Sequence, residues 1–141
     1  ALSYDDAAIE LDNAVKLRKS AIKAYEREGE ELGDEIGKSY DNTSSYKKEC
    51  SELIVNQALA NFSGDEKLAD KYTTAIEKLD EAIQLSKDAT KAYKQGDEEQ
   101  GNNLQEESQE LAEEAAELTK KLKKPNRDLI NDDLASSSDE D

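Results

Sequence analysis

Apolar residues recur along this chain at alternating steps of four and three positions, which is the heptad spacing of helices that pack side by side. The first inward-facing stripe is predicted to be Tyr4, Ala8, Leu11, Val15, Arg18, Ile22 and Tyr25. A weaker stripe follows at Tyr46, Cys50, Leu53, Ile54, Gln57 and Ala58. Two more run through Leu68, Tyr72, Ala75, Leu79, Ala82, Ser86, Ala89 and Tyr93, and through Gly101, Leu104, Ser108, Leu111, Ala115, Leu118 and Leu122. No long stretch alternates with period two, so the pattern predicts an all-α fold.

Glycine-containing breaks separate these stripes at regular intervals. Candidate turns are Glu28-Gly29-Glu30, Ser63-Gly64-Asp65-Glu66 and Gln95-Gly96-Asp97, and Pro125 stops the last helix. In the second turn Ser63 and Glu66 fit a capping box, and Asp65 is an alternative cap. Lysines before Pro125 suit the negative end of a helix dipole; they are Lys120, Lys121, Lys123 and Lys124. Near-equal segments joined by short turns predict an antiparallel up-down-up-down four-helix bundle over residues 1–125, followed by an acidic, disordered tail at 126–141.

The region of the first turn allows a second interpretation. Gly29, Gly33 and Gly37 are evenly spaced, one helical turn apart, and would lie on one face of a continuous helix. We favour a loose turn, because each glycine inside a helix costs about 1 kcal/mol relative to alanine. If Gly29 is not a turn, the first helix continues past Tyr40 and the bundle has three long helices.

The two halves of the chain resemble each other. When Tyr4 is aligned with Tyr72 and no gap is allowed, nearly half of the positions from 4 to 33 are identical to their counterparts from 72 to 101. The matches include Tyr25 with Tyr93, which lies at the same place on the second stripe. We therefore expect two tandem helical hairpins, at about 4–62 and 65–124, that arose by duplication.

The net charge of the chain limits the classes of molecule that it is expected to bind. The formal net charge is −16, with 38% charged and 35% apolar residues. That charge opposes binding to nucleic acid and to anionic membranes, and it favours basic partners. No apolar stretch approaches the ~18 residues of a membrane span, so we expect no direct membrane insertion of this segment.

Candidate catalytic and metal-binding residues are scarce. The chain contains no histidine and one cysteine, so the usual thiol dyad and most zinc sites are absent, and we predict no catalytic, cofactor-binding or metal site and no enzymatic activity. Cys50 lies on an apolar stripe and is expected to be buried. A calcium-loop spacing occurs at Asp41, Thr43, Ser45, Glu49 and Glu52. Tyr46 occupies the position where that loop needs glycine, which favours a helical segment instead.

These features predict a structural or protein-interaction module that works through its helix faces and has a protein partner or self-associates. An acidic binder of basic proteins is one alternative. Another is the extracytoplasmic domain of a surface protein or lipoprotein, indicated by the first residue Ala1, which suggests processing of a longer chain, and by sequons at Asn42 and Asn61. A small-molecule site lined by tyrosines is a further alternative.

Overall fold

The computed structural model describes residues 4–125, without the side chains of residues 4–6 and 10, and this part of the chain is helical throughout apart from two turns and a short C-terminal segment. Helix α1 spans Tyr4–Phe62, α2 spans Glu66–Lys94 and α3 spans Glu98–Lys120. The all-α prediction is confirmed, and the three-helix alternative is the one observed. The predicted tail at 126–141 lies outside the described residues.

Both turns have the same construction. Gly64 and Gly96 adopt left-handed backbone angles, with φ of 80° and 81°, which glycine reaches without steric penalty. The residue after each glycine, Asp65 or Asp97, caps the next helix by accepting a hydrogen bond from a backbone N–H three positions on, at 3.1 Å. Asp65 is therefore the cap. The predicted capping box is wrong, since Ser63 instead donates to the carbonyl of Ala60.

The turn predicted at Glu28-Gly29-Glu30 is not formed, and the span predicted as the first hairpin is one helix. The repeat register explains the difference, because the alignment of Tyr4 with Tyr72 also pairs Glu28 with Gly96 and Gly29 with Asp97. Residues 28 and 29 thus supply a glutamate where the turn needs a left-handed residue, and no side-chain acceptor where the turn needs a cap. The chain therefore continues as helix through this region.

Helix α2 occupies the middle of the packing. It packs along both α1 and α3, whereas α1 and α3 barely contact each other. In a triangular bundle all three pairs would pack along their lengths. Because α1 and α3 share the core around Tyr46 and Ala112 without packing along each other, we describe the three helices as three corners of a square, with α1 and α3 on a diagonal. We call the unoccupied fourth corner, which borders α1 and α3, the open corner.

The core between the helices is narrow and rich in alanine, as the stripes predict. The α2 stripe is buried from Tyr72 to Tyr93, and Ala75, Ala82 and Ala89 are fully inaccessible. The α3 stripe is less complete, since Leu118 remains 39% exposed. Helix α3 also ends at Lys120 rather than just before Pro125, so Lys120 alone lies in its last turn. Small side chains allow close helix approach but leave little apolar area to stabilise a helix from one side only.

Candidate functional site

The first half of α1, residues 4–31, projects away from the helical core. Its described side chains, residues 7–9 and 11–31, are all exposed. On the stripe predicted to face inward, Leu11 is 69% exposed and Tyr25 is 75% exposed. The prediction that this stripe lies in the core of the chain itself is therefore wrong. We call residues 4–31 the arm.

The stripe of the arm is in phase with the buried face of the rest of α1. Continuing the steps of four and three from Tyr25 reaches Gly29, Leu32, Ile36, Ser39, Thr43, Tyr46 and Cys50. From Ser39 to Cys50 every member of this series is buried. One helix face is thus covered by α2 in its second half and uncovered in its first half.

Uncovered apolar side chains and an unsupported helix are both unfavourable in water. Burying Leu11, Val15, Ile22 and Tyr25 would each contribute roughly 1.5–3 kcal/mol, as an upper estimate. An isolated helix without tertiary packing is only marginally stable. The arm therefore has the properties of a surface that gains stability when another helix covers it.

Next to the arm, α1 and α2 are joined by four buried hydroxyl groups, which we call the hydroxyl ladder. Ser39 Oγ lies 2.6 Å from Thr90 Oγ1, and Thr43 Oγ1 lies 2.7 Å from Ser86 Oγ. These hydroxyls also bond to backbone carbonyls within their own helices or across the pair. Sequence reasoning places Ser86 on a stripe but misses the ladder as a unit. The available signal is the recurrence of Ser or Thr one helical turn apart on both helices.

A second polar group lies beside the open corner. Burial raises the pKa of Tyr46 above its ordinary value. A hydrogen bond with Ser108 of α3 lowers this pKa, and the negative charges of Glu49 and Glu113 raise it further. Burial also raises the pKa of Glu49, and Glu52 adds to that rise. Glu49 of α1 and Glu113 of α3 thus both act on Tyr46, and they make this side of the bundle negative.

Cys50 and Tyr93 are buried as predicted, and neither is activated. Burial raises the pKa of the Cys50 thiol to about 11, and Asp80, whose carboxylate lies 3.5 Å from Sγ, adds to the rise. Burial likewise raises the pKa of Tyr93 to about 12, and Glu35 adds to it. The Tyr93 hydroxyl lies 2.7 Å from both Asn102 Oδ1 and Gln105 Oε1. A raised thiol pKa is the opposite of what a nucleophile needs.

Helix α3 presents an acidic exterior. It carries eight glutamates, and an open groove along it is lined by Glu110, Glu113, Glu114 and Glu117 together with lysines. Lys78 of α2 neutralises Glu114 at 2.9 Å. The remaining carboxylates give this face a strong preference for cations.

The calcium-loop spacing from Asp41 to Glu52 lies within α1, where Thr43 and Tyr46 face the core, so these residues form a helix and not a loop. Within the described part of the chain no group of three or more histidine, cysteine, aspartate or glutamate side chains is placed to hold a metal ion. None of the described helices is both long and apolar enough to cross a membrane.

Comparison of the sequence with curated proteins and with solved structures gives no match. A family model does match, and it covers residues 7–127, which include most of the arm, all of α2 and all of α3. The chain therefore belongs to the family of unknown function DUF6507.

Proposed function

We propose that this chain is a non-enzymatic helical structural or protein-interaction module whose working surfaces are the arm and the open corner. One observation carries the proposal: the apolar stripe of α1 is covered from Ser39 onward and exposed on the arm, in unbroken phase. A stripe that is exposed on its own chain and spaced as a heptad is suited to another helix.

The four-helix arrangement expected from the sequence belongs to this proposal in a modified form. The chain supplies three corners of a bundle, and a helix from a partner supplies the fourth. The partner also offers a helical surface on which the exposed stripe of the arm packs.

A photocrosslinking residue placed on the arm tests the proposal. Introduced in place of Ile22, on the stripe, it is expected to give discrete crosslinked products in native extract. Introduced in place of Leu17, which is 73% exposed but off the stripe, it is expected to give none above background. Equal labelling from both positions, or no product from either, would show that the stripe is not a docking surface.

Binding of basic proteins is a second candidate, favoured by the glutamates along α3. Replacing Glu113 and Glu117 with glutamine keeps the side-chain shape and removes two charges from the groove. Binding of a lysine-rich protein is then expected to weaken and to lose part of its salt dependence. Unchanged binding, or binding that salt does not affect, would contradict this candidate.

A further inference from the structure

We infer that the partner of the arm is a second copy of this chain, with the two α1 helices antiparallel and crossing near Gly33. In this arrangement each arm fills the open corner of the other copy, so that the dimer contains two four-helix bundles. The inference rests on the proposed function and adds the identity of the partner. Four observations carry it.

The first observation is the length of α1. The helix runs from Tyr4 to Phe62, and its midpoint is Gly33. A two-fold axis at Gly33 therefore places the arm of one copy alongside the packed half of α1 in the other, with matching lengths. Side chains are absent at Gly29, Gly33 and Gly37, where an added Cβ would meet no atom within 4 Å. The face of α1 that carries these glycines is thus free of bulk at the crossing.

The second observation is the likeness between the arm and α2. The internal alignment that sets Tyr4 on Tyr72 pairs the arm with α2 and the start of α3. Helix α2 packs between α1 and α3. The open corner also borders α1 and α3, on the diagonal opposite α2. A helix with an α2-like stripe is therefore suited to that corner.

The third observation is charge complementarity. The five basic residues of the arm all lie between 16 and 27. The antiparallel crossing brings this stretch alongside the middle of α3 in the other copy, where Glu106, Glu107, Glu110 and Glu113 lie. Arg18, a charged member of the arm stripe, lies nearly as far before Gly33 as Glu49 lies after it. The crossing therefore sets Arg18 close to Glu49, whose pKa desolvation already raises.

The fourth observation decides whether the open corner is filled by the arm of a second copy or by the chain's own arm. Folding the arm back onto its own open corner needs a turn near Gly33. Gly33-Asp34-Glu35 has the same three residues as the turns at Gly64 and Gly96, yet here α1 continues as a helix. Without that turn an arm reaches only the open corner of another molecule, which is the geometry of an exchanged element.

Sedimentation equilibrium of the full chain tests the partner directly, using Ile22→Asp and the matched Leu17→Asp variant. The full chain and Leu17→Asp are expected at twice the monomer mass of 15.6 kDa. Ile22→Asp is expected to raise the dimer Kd by on the order of 100-fold, because a charge then replaces a buried apolar group at the interface. Both side chains are exposed within one copy, so neither change should unfold it.

The register is tested by charge exchange. Arg18→Glu alone and Glu49→Arg alone are each expected to weaken the dimer about tenfold or more, and the double variant is expected to recover most of the loss. If the loss of dimer affinity in the double variant equals the sum of the two single losses, these two side chains do not lie close together.

Disulfide formation fixes the crossing point. In a Cys50→Ala chain, which has no other thiol, Gly33→Cys is expected to form a disulfide between copies under mild oxidation. Ser20→Cys, on the same arm, should not, because the two substituted positions would be about 39 Å apart at ~1.5 Å per residue. Equal crosslinking at both positions would overturn the antiparallel crossing.

Monomeric mass of the full chain at micromolar concentration overturns the inference in any case. Monomers whose arm amides resist hydrogen exchange would indicate that the arm folds onto its own chain. If the arms of the monomer exchange rapidly and position 22 still crosslinks to a different protein in extract, only the identity of the partner as a second copy is overturned. If position 22 gives no crosslink either, the proposed function fails as well.

Discussion

Replacing Gly101 with alanine sets two effects of opposite sign against each other. Gly101 lies inside α3, and alanine there improves helix propensity by up to about 1 kcal/mol. The added Cβ, however, would clash with the ring of Tyr93, the nearest ring carbons lying well inside contact distance. The sign of the measured change therefore depends on whether the ring can move.

The surroundings of Tyr93 indicate that the ring cannot move cheaply. The side chain is 1% exposed, and its hydroxyl is held at 2.7 Å by both Asn102 and Gln105. Overpacking a well-packed site costs about 1–3 kcal/mol, and a ring fixed at both ends belongs at the upper end of that range. After subtracting the gain in helix propensity, we expect Gly101→Ala to lower the free energy of unfolding by about 1–2 kcal/mol.

Urea denaturation followed by circular dichroism, at a fixed protein concentration, measures this change. The same substitution is then made in two backgrounds. In Tyr93→Phe the ring remains but its hydroxyl is no longer held, so the penalty should be smaller, whereas in Tyr93→Ala the ring is absent and Gly101→Ala should be neutral or stabilising. A gain of about 1 kcal/mol in the unmodified chain would refute the reasoning, since it would mean that the ring gives way without cost.

Other predictions follow from single contacts. The thiol of Cys50, with a pKa raised to about 11, should react with a disulfide reagent at pH 8 only as fast as the chain unfolds, as timed by absorbance. Tyr93 should ionise near pH 12, whereas tyrosine in the unfolded chain ionises near pH 10. The contribution of Tyr93 to stability is therefore full below pH 10, and it falls by up to about 2–3 kcal/mol as the pH rises to 12. Denaturation at stepped pH measures this loss, and a constant free energy of unfolding would contradict a buried phenol. Thr90→Val should cost about 1–2 kcal/mol by leaving the Ser39 hydroxyl without its cross-helix partner, with the exposed Thr74→Val as a near-neutral control. Asp65→Ala should cost about 1 kcal/mol through loss of the helix cap, and Asp65→Asn should recover most of it.

The parts of the fold that could be predicted from the sequence are those in which local chemistry and packing agree. The stripe on α2 is buried as predicted because its heptad spacing meets a helix on each side. The turns at Gly64 and Gly96 form because each glycine is followed by an aspartate that caps the next helix. In these places every local signal favours the same structure.

The first half of the chain shows what pattern alone does not determine. Apolar spacing predicts that one face of a helix will be covered, but it does not specify which chain covers it. The pattern therefore assigns the arm stripe to the core of its own chain, whereas the structure leaves it exposed. The low helix propensity of glycine predicts a turn at Gly29, although no residue next to it supplies the cap. Gly33-Asp34-Glu35 supplies both turn residues and is still helical, so composition does not decide that position either.

The hydroxyl ladder has a consequence for mechanical load. The arm extends roughly 40 Å beyond the packed half of α1, so a pull directed along the arm is transmitted along the α1 axis. That force would slide α1 past α2 and load the Ser39–Thr90 and Thr43–Ser86 pairs in shear, simultaneously and not one after the other. Sliding by one helical turn would bring the bulky Tyr46 towards positions that now hold small hydroxyl side chains. The α1–α2 pair is therefore built to resist axial pulling more strongly than peeling apart from one end.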